Sequence, residues 1–403
     1  MEIEYRSVAD FGEIITGKTP STSVDEFWNG EIPFITPTDI VGYDMRYIFS
    51  TERQITDEGA NSQINTILPQ NTICVSCIAS IGKMCITSAA QSITNQQINS
   101  IVVKKGYDYQ YLFYLLRYFL PYIQLIGGGT GSGTPIISKT KFSKLKYPVC
   151  VDKGIQARIA VILSTYDSLI EVNNKRIKVL EQMAENLYKE WFVRFRFPGH
   201  EIAEFENGIP KGWNVCRFSS IANVLSGGTP STEHDEYYGG NIPFYTPKDS
   251  LDNYFVFDTI SNLTEEGLQH CNSQLYPKNT IMITARGTVG NLNLLAKPMA
   301  MNQSCYALTS NTIPSQYFLF FLIKREILKL RKMASGGVFD TIIVSTFDHI
   351  KVTIPDESLI MSFDRLVSPI LDETYTLLKQ NRNLIRQRDL LLPRLMSGKL
   401  EVL

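Results

Sequence analysis

The chain has 403 residues, with 39 Lys and Arg residues against 40 Asp and Glu residues. Hydrophobic residues make up 44% of it and charged residues 20%, which is an ordinary globular balance. These values exclude collagen, a small disulfide-bonded scaffold, a wholly disordered chain and a bulk polycation. The length predicts two or three domains, and any polyanion must be bound by basic residues that are placed locally.

The N-terminus and the cysteines predict a cytoplasmic protein. The first ten residues, MEIEYRSVAD, have no basic segment followed by an apolar one, so we expect no secretory signal. The apolar window 109–126 contains Arg117 and Pro121, and the window 317–323 is too short to span a bilayer. Seven cysteines, an odd number, fit reduced thiols better than a disulfide framework.

Three of the cysteines, Cys74, Cys77 and Cys85, could be interpreted as part of a zinc site. A structural zinc ion needs four ligands, and no Cys or His lies nearby in the sequence as the fourth. We therefore expect these residues to be small core residues of strands, and we predict no metal site.

The chain consists of two copies of one plan. The repeated segments are Gly-x-Thr-Pro-Ser-Thr (17–22 and 227–232), Ile-Pro-Phe-x-Thr-Pro-x-Asp (32–39 and 242–249) and Asn-Gln (95–96 and 302–303). The offset between the copies falls only from 210 to 207 residues along these segments. A period of this length is far too long for a solenoid, so it predicts a duplicated whole domain.

Short β-rich stretches broken by Gly, Pro and Asn occur in both copies. The predicted strands are 72–75, 84–87, 99–103, 280–284, 292–295 and 304–308. Each copy is therefore predicted to be a mixed α/β domain with a twisted or barrel-like sheet, and the fold class of the chain is α+β.

A long helix is predicted after each copy. Between residues 363 and 395 apolar residues recur at alternating steps of four and three, which is a coiled-coil period, and a similar pattern with one slip runs from 159 to 191. Pro393 predicts that the second helix ends near Leu392. The residues predicted to form the helix-pairing seam are Asn173, Ile177, Leu180, Leu187, Leu377, Asn381, Leu384 and Leu391.

The two helices are predicted to pair antiparallel, as a coiled coil. A buried Asn on the seam would fix register, although Asn173 or Asn381 could equally face solvent. Each helix would be about 50 Å long, and an internal pseudo-twofold axis would place one globular copy at each end. The predicted domains are the first globular copy (1–154), the first spacer helix (155–197), the second globular copy (198–358) and the second spacer helix (359–403).

No catalytic constellation is present in the sequence. The four histidines form no metal-binding pair. Carboxylates are plentiful, but nothing in the spacing of the Asp and Glu residues brings them together. Residues 12–19 match the phosphate-loop pattern GxxxxGK[ST], but Pro20 follows at once and Ile14 and Ile15 suit a strand. The second copy lacks the first Gly and the Lys of this pattern, so a phosphate-loop NTPase is disfavoured.

Recognition chemistry is better represented. Arg, Lys, Asn and Gln side chains read base edges, and Lys and Arg neutralise phosphates. For any single residue, a plain solvated surface is the simpler interpretation. The glycine-rich stretches 126–133 and 335–337 could order on a partner or be connectors. The candidate DNA-binding residues are Lys18, Thr19, Arg53, Lys83, Gln96, Gln97, Lys139, Lys141, Lys248, Arg286, Gln303 and Lys332.

These residues resemble the specificity subunit of type I restriction–modification systems, over essentially the whole chain. Besides the two repeated segments that contain Thr-Pro, the resemblance rests on Arg-Gly-Thr-Val-Gly (286–290), Leu-Tyr-Lys-Glu-Trp-Phe-Val-Arg-Phe-Arg-Phe-Pro-Gly-His (187–200), Ile-Pro-Lys-Gly-Trp (209–213) and Arg-Asp-Leu-Leu-Leu-Pro-Arg-Leu-Met-Ser-Gly (388–398).

The resemblance implies a non-catalytic subunit whose two target-recognition domains each read half of a bipartite site in double-stranded DNA, with the helices setting the gap. It also implies docking of two modification (methyltransferase) subunits and of restriction subunits. S-adenosylmethionine, ATP and Mg²⁺ would belong to those partners, and none to this chain. Lys18 corresponds to Gly228, and 79–82 differs from 286–290, so we expect an asymmetric target. A scaffold or inhibitor that binds only protein is the alternative.

Overall fold

The structure, a computed structural model, describes residues 2–128, 134–333 and 341–402, and only the backbone of residues 332 and 333. It divides into two compact units: unit 1 is Met1–Glu171 with Arg382–Leu403, and unit 2 is Val172–Asn381. Each unit therefore holds one copy of the repeat together with a part of both long helices. The sequence-based boundaries at 154, 197 and 358 instead give the helices domains of their own.

The strands have the following bounds. Unit 1 contains β1 (Ile3–Ser7), β2 (Gly12–Thr16), β3 (Trp28–Ile35), β4 (Tyr47–Ile48), β5 (Arg53–Ile55), β6 (Leu68–Pro69), β7 (Ile73–Ser76), β8 (Met84–Thr87), β9 (Gln91–Thr94), β10 (Ile98–Val103) and β11 (Lys146–Cys150). Unit 2 contains β12 (Phe205–Glu206), β13 (Ile209–Pro210), β14 (Asn214–Arg217), β15 (Ala222–Ser226), β16 (Tyr238–Tyr245), β17 (Phe255–Val256), β18 (Ser261–Leu263), β19 (Ile281–Thr284), β20 (Leu292–Leu295), β21 (Ala300–Met301), β22 (Cys305–Ser310) and β23 (Lys351–Ile354).

The helices range from one turn to forty residues. They are α1 (Val8–Phe11), α2 (Asp57–Asn61), α3 (Tyr109–Tyr118), α4 (Leu120–Gly128), α5 (Lys139–Ser143), α6 (Lys153–Phe192), α7 (Glu265–Gln269), α8 (Gln316–Met333), α9 (Val344–His349) and α10 (Glu357–Met396). No helix in the described ranges is both long and apolar enough to cross a membrane.

The two units repeat the same sheet topology, which confirms the duplication. The five-stranded sheet has the order β2-β10-β7-β8-β4 in unit 1 and β15-β22-β19-β20-β17 in unit 2. In both, the short last strand is parallel to its neighbour and the other pairs are antiparallel. A second sheet pairs β3 with β5 and β9, and in unit 2 β16 pairs with β18 and β21. The predicted strands lie within two residues of the observed ones.

The core of unit 1 forms where the five-stranded sheet meets helix α3. Every residue of β7 and β8 is buried, and so are residues 111–117 of α3. Asp108 begins α3 as its N-cap, because its side chain accepts the backbone N–H groups of Gln110 and Tyr111 at 2.8 and 2.9 Å. This packing fixes the ends of the strands, and with them the starting points of the loops that connect the strands.

The cysteines of β7 and β8 belong to this core. Cys74 and Cys85 lie opposite each other in the β7–β8 ladder, and both are fully buried. Burial raises the pKa of Cys77 to about 11, so this thiol is protonated at neutral pH. Within the described residues no cluster of His, Cys, Asp and Glu could hold a metal ion.

Helices α6 and α10 pair antiparallel. In unit 2 the Nδ2 atom of Asn173 donates to Oδ1 of Asn381 at 2.9 Å, and one turn later Arg176 contacts Glu373 at 2.6 Å. The residue number on α10 falls as that on α6 rises, so the helices run in opposite directions. Asn173 and Asn381 are only 7% and 6% exposed, which places an amide pair on the seam.

The other predicted seam residues are buried or half-buried. Ile177 and Leu377 are buried in the core of unit 2, and Leu180 and Leu187 pack against that core. Leu391 packs against the core of unit 1, and Leu384 is half-buried.

The prediction that the second helix ends near Leu392 is wrong, because α10 continues through Pro393 to Met396. Proline lacks the N–H that would bond to the preceding turn, which costs stability inside a helix. Leu395 and Met396 are buried in the core of unit 1, and this burial favours one further helical turn.

In unit 1 a group of charged residues, here called the polar junction, joins the globular copy to the helix pair. It consists of Asp44, Arg117, Asp167 and Arg388. Arg388 of α10 is 1% exposed and contacts Oδ1 of Asp167 on α6 at 2.5 Å and Asp44 at 2.9 Å. Arg117 of α3 pairs with Asp44 and lies 3.8 Å from Asp167. The junction therefore links α3, α6, α10 and the loop that contains Asp44.

In unit 2 the residues matched to Arg117, Asp167 and Arg388 are Ile323, Leu371 and Ala184, which are buried in one hydrophobic core with several aromatic rings. We call these rings the aromatic junction; they are Tyr188 and Phe192 of α6, Phe318 and Phe321 of α8, and Phe363 of α10. The ring of Phe192 lies 4.9 Å from that of Phe318 and 5.2 Å from that of Phe363, both edge-to-face. Edge-to-face rings at these distances attract each other in addition to burying apolar area.

Candidate nucleic-acid interface

Four loops of unit 1 meet at one edge of its sheets. Strand pairing requires this, because the ends of β2 and β7 lie beside the start of β10, and the end of β3 lies beside the end of β9. The loops that leave these strand ends must therefore be neighbours. We call them loop cluster 1, formed by residues 17–22, 36–39, 77–83 and 95–97.

Hydrogen bonds hold loop cluster 1 together. The Thr19 hydroxyl donates to Oε1 of Gln96 at 2.8 Å, joining the first loop to the last. The backbone N–H of Cys77 donates to the carbonyl of Gln97 at 2.8 Å. Nζ of Lys83 donates to the carbonyl of Pro37 at 3.3 Å. Each of the four loops is thus tied to at least one other.

Unit 2 repeats this arrangement in loop cluster 2, formed by residues 227–232, 246–249, 285–291 and 302–304. The Thr229 hydroxyl donates to Oε1 of Gln303. The backbone N–H of Ala285 donates to the carbonyl of Ser304 at 2.8 Å. The two copies therefore build the same loop framework and share two of its hydrogen bonds, and in cluster 2 the Thr288 hydroxyl, at 3.5 Å, contacts the Pro247 carbonyl in place of a lysine.

The repeated glycine at the start of the Thr-Pro segment allows a close backbone approach. A Cβ atom at Gly17 would lie 2.2 Å from the carbonyl oxygen of Thr94, and one at Gly227 would lie 2.4 Å from that of Met301. Any larger residue would push the segment away from the Asn-Gln turn. The glycine therefore lets the threonine two residues later reach the glutamine.

The repeated Thr-Pro-x-Asp segment is a structural turn. Oδ2 of Asp39 accepts the backbone N–H of Thr36 at 2.8 Å, and its Oδ1 accepts that of Glu52 at 2.7 Å. Asp249 makes the same bonds to Thr246 and Ile260, at 2.8 and 2.6 Å. Both oxygens of each carboxylate are engaged, so the aspartates fix loops rather than contact a ligand.

The side chains that the clusters present differ at matched positions. Lys18, Lys248 and Arg286 are exposed, and their counterparts in the other copy are Gly228, Thr38 and Ile78. A Cβ atom at Gly228 would lie 2.7 Å from the backbone nitrogen of Asn272, so cluster 2 has no room for a lysine there. One framework thus carries two different sets of cationic groups.

The structure brings together most of the predicted DNA-binding residues. Arg53 lies outside the clusters, on β5, with its guanidinium 3.5 Å from the ring centroid of Trp28. Lys139 and Lys141 are exposed on α5, and Nζ of Lys141 donates to the carbonyl of Ile126. The side chain of Lys332 and the stretches 129–133 and 335–337 lie outside the described residues. The clusters contain Lys18, Thr19, Lys83, Gln96, Gln97, Lys248, Arg286 and Gln303.

The phosphate-loop pattern is not a phosphate loop. Residues Gly12–Thr16 form β2, which pairs with β10 along its whole length. An extended strand cannot curl its backbone N–H groups around a phosphate, as a phosphate loop does. The expectation of a strand here is confirmed.

Two features of the structure are absent from the sequence-based predictions, one within the site and one outside it. The first is Thr229, which matches Thr19, so the repeat could have indicated it. The polar junction was signalled only by Arg388, a charged residue at a seam position of α10.

The duplicated fold and its paired loop clusters define a two-domain specificity protein. The chain belongs to the family of the type I restriction modification DNA specificity domain, whose model matches residues 1–182 and 210–384.

Relatives match over most of the chain. The chain is 29% identical to the type I restriction enzyme MjaIX specificity subunit of Methanocaldococcus jannaschii, over 99% of this chain and 94% of the relative. It is 26% identical to the HindI specificity subunit of Haemophilus influenzae, over 72% of this chain and 77% of that protein. The crystal structure of a type I restriction–modification S subunit from M. genitalium has the same fold, with a TM-score of 0.60 at 15% identity, covering 98% of this chain and 96% of that one.

Proposed function

We propose that this chain is the DNA sequence-recognition subunit of a type I restriction–modification complex. The observation that carries the proposal is the pair of loop clusters, which share a backbone framework but present different exposed cations. Lysine, arginine and amide side chains on rigid loops suit contacts to phosphates and base edges. The names of the relatives, all specificity subunits of type I enzymes, support the same function.

In this proposal each globular copy reads one half of a bipartite site. Lys18 of cluster 1 corresponds to a glycine in cluster 2, and Arg286 of cluster 2 corresponds to an isoleucine in cluster 1. Different donors select different bases, so the two half-sites differ and the target is asymmetric.

The helices α6 and α10 would set the gap between the half-sites and dock two methyltransferase subunits. Each is an uninterrupted helix of forty residues, about 60 Å long at 1.5 Å per residue. The buried Asn173–Asn381 pair gives the helix pair one register, which a measuring element needs.

The chain itself would be non-catalytic. Methylation and cleavage would be carried out by modification and restriction subunits, and S-adenosylmethionine, ATP and Mg²⁺ would be bound there. The complex would act on double-stranded DNA in the cytoplasm.

The experiment is a complex of this chain with its methyltransferase, tested on randomised duplexes and by mapping methylated adenines in cells that express both. We expect one bipartite, asymmetric motif. Arg286→Ile should relax preference in one half-site, and Lys18→Gly in the other. A complex without sequence preference would exclude DNA readout and favour a scaffold that binds only protein.

The spacing role needs its own test. A one-turn insertion after Glu171 in α6, matched by one after Asn381 in α10, should change the preferred gap and leave both half-sites unchanged. An unchanged gap with retained binding would exclude the measuring role. An insertion of the same length between β12 and β13 serves as the control.

A further inference from the structure

The two loop clusters share one exposed pair of side chains. In each, a threonine hydroxyl donates to the carboxamide oxygen of a glutamine: Thr19 to Gln96 and Thr229 to Gln303. The threonine and glutamine of each pair are 77 and 74 positions apart in sequence, so the fold brings them together twice. Gln96 and Gln303 are both exposed.

The backbone beneath each glutamine is rigid. Oδ1 of Asn95 accepts the backbone N–H of Gln97 at 3.1 Å, and Oδ1 of Asn302 accepts that of Ser304 at 3.0 Å. The backbone N–H groups of Asn95 and Asn302 donate to the last carbonyl of the neighbouring strands β3 and β16, at 3.1 and 3.0 Å. An asparagine that bonds two residues ahead locks a turn, so the glutamine side chain starts from a fixed position.

The threonine also fixes the orientation of the carboxamide. With the oxygen engaged, the amide nitrogen of each glutamine points away with two N–H donors, and among the described residues neither nitrogen has a hydrogen-bond partner. Two unused donors held on a rigid surface turn are available to an external acceptor.

Packing does not explain why both copies keep this pair. Two positions beside it differ between the copies, since Lys18 corresponds to Gly228 and Gln97 to Ser304, whereas Pro20 and Asn95 match Pro230 and Asn302. Neither glutamine contributes to a hydrophobic core. A polar pair retained at the surface, within a loop framework that both copies share, indicates a task that both copies perform alike.

We propose that Gln96 and Gln303 make the same contact to DNA at the two half-sites, each donating its carboxamide N–H to an acceptor that both half-sites share. This rests on the proposed function. Lys18, Lys248 and Arg286 then distinguish the half-sites, and the two glutamines contact the acceptor that the half-sites share. Thr19 and Thr229 are positioning residues, because without them the carboxamide can rotate and present its oxygen to the acceptor.

The test uses the full chain in complex with its methyltransferase, and the duplex identified by methylation mapping. Gln96→Met and Gln303→Met keep the side-chain length, add no charge and remove the donors. Each should weaken binding by about tenfold or more, the range for losing an oriented contact to DNA. Gln91→Met, an exposed glutamine at the opposite end of β9, is the matched control and should bind as the unchanged chain does.

The threonines supply a readout that a purely structural role would not move. Thr19→Val removes the hydroxyl and should weaken DNA binding, although less than Gln96→Met does. Thr19→Ser keeps the hydroxyl and should bind DNA as the unchanged chain does. In the double variant Thr19→Val/Gln96→Met, the threonine change should cause no additional loss, since its effect acts through the glutamine.

Two sources of the acceptor are distinguishable. If it is a phosphate, both methionine variants weaken binding to all duplexes equally; if it is a base edge, they relax preference at one position in each half-site. Both results support the proposal. It is overturned if both variants bind as the unchanged chain does, or if only one of them matters. An unchanged complex that shows no sequence preference would refute the proposed function instead.

Discussion

The two units connect a globular copy to the helix pair in chemically opposite ways. In unit 1 the junction contains Arg117, Asp167 and Arg388, whose side chains are 7%, 4% and 2% exposed. In unit 2 the matched residues are Ile323, Leu371 and Ala184, which share one hydrophobic core with the rings of the aromatic junction. The sheets and loop clusters of the same two units are nearly superimposable in topology and hydrogen bonding.

The junctions differ between the two units, whereas the sheets and loop clusters agree. This contrast shows that the loops have the same structural requirement in both copies and the junctions do not. Reading loops must present side chains from one framework, so their backbone bonds are retained in both copies. A junction only has to hold its own helices, and either buried charge or buried aromatic area can do this. Buried charge adds a requirement, since Asp167 of α6 needs Arg388 of α10. The repeat equivalent of Arg388 on α6 is Ala184, which cannot replace it.

The largest expected effect comes from breaking the polar junction. Asp167→Asn removes the buried carboxylate and leaves Arg117 and Arg388 paired only with the exposed carboxylates of Asp44 and Asp389, so it should lower the free energy of unfolding of unit 1 by about 3–5 kcal/mol. Denaturant unfolding followed by a probe in unit 1 measures it. Among the described residues Nη1 of Arg117 has no hydrogen-bond partner and Asp167 is the carboxylate nearest to it in the junction, at 3.8 Å, so this atom would lose its only neighbouring negative charge there. A loss below 1 kcal/mol would mean that the junction is solvated.

A second prediction uses the one acid beside the aromatic junction whose pKa is raised. Burial raises the pKa of Glu181 from 4.5 to about 7, against a backbone hydrogen bond from Tyr254 that lowers it. The folded chain therefore holds this proton more tightly than the unfolded chain, and the stability it contributes is present below pH 4.5 and lost as the pH rises to about 7.

Glu181→Gln should remove this slope and raise stability at pH 8, as measured by thermal unfolding between pH 5 and 8. The comparison variant is Glu185→Gln. Burial alone would raise the pKa of Glu185, but hydrogen bonds from Lys189 and Lys324 lower it to about 2. That variant should instead lower stability at neutral pH. Identical pH profiles for Glu181→Gln and the unchanged chain would contradict the prediction.

The smallest effect is expected where an ion pair is exposed. Glu373 pairs with Arg176 at 2.6 Å between the same two helices, but their side chains are 43% and 54% exposed. Glu373→Gln removes a carboxylate as Asp167→Asn does, yet should cost about 0.2–1 kcal/mol, and less in high salt. A cost as large as that of Asp167→Asn would show that burial is not what separates this ion pair from the Asp167–Arg388 pair.

The duplication, the antiparallel helix pair and the local elements were predictable from sequence, whereas the contacts between individual distant side chains were not. Strands such as Met84–Thr87 and Leu292–Leu295 have patterns that are complete within four residues. The extent of α10 was mispredicted because the rule for Pro393 is local, whereas the burial of Leu395 depends on unit 1. The polar junction joins residues separated by up to 344 positions, and no pattern in the chain announces such a contact.

The candidate site shows the same division. The repeat located the loops and the glutamines, since identical segments in two copies stand out in one sequence. The hydrogen bond between Thr19 and Gln96 depends on the pairing of β2 with β10, which only the three-dimensional structure provides.

The division of the chain into units has a consequence for biosynthesis. Unit 2 is one continuous stretch, Val172–Asn381, and contains every residue of its aromatic junction. It can finish folding as soon as that stretch has left the ribosome. Unit 1, although translated first, remains open until Arg388 emerges, so the order of synthesis and the order of completion are reversed.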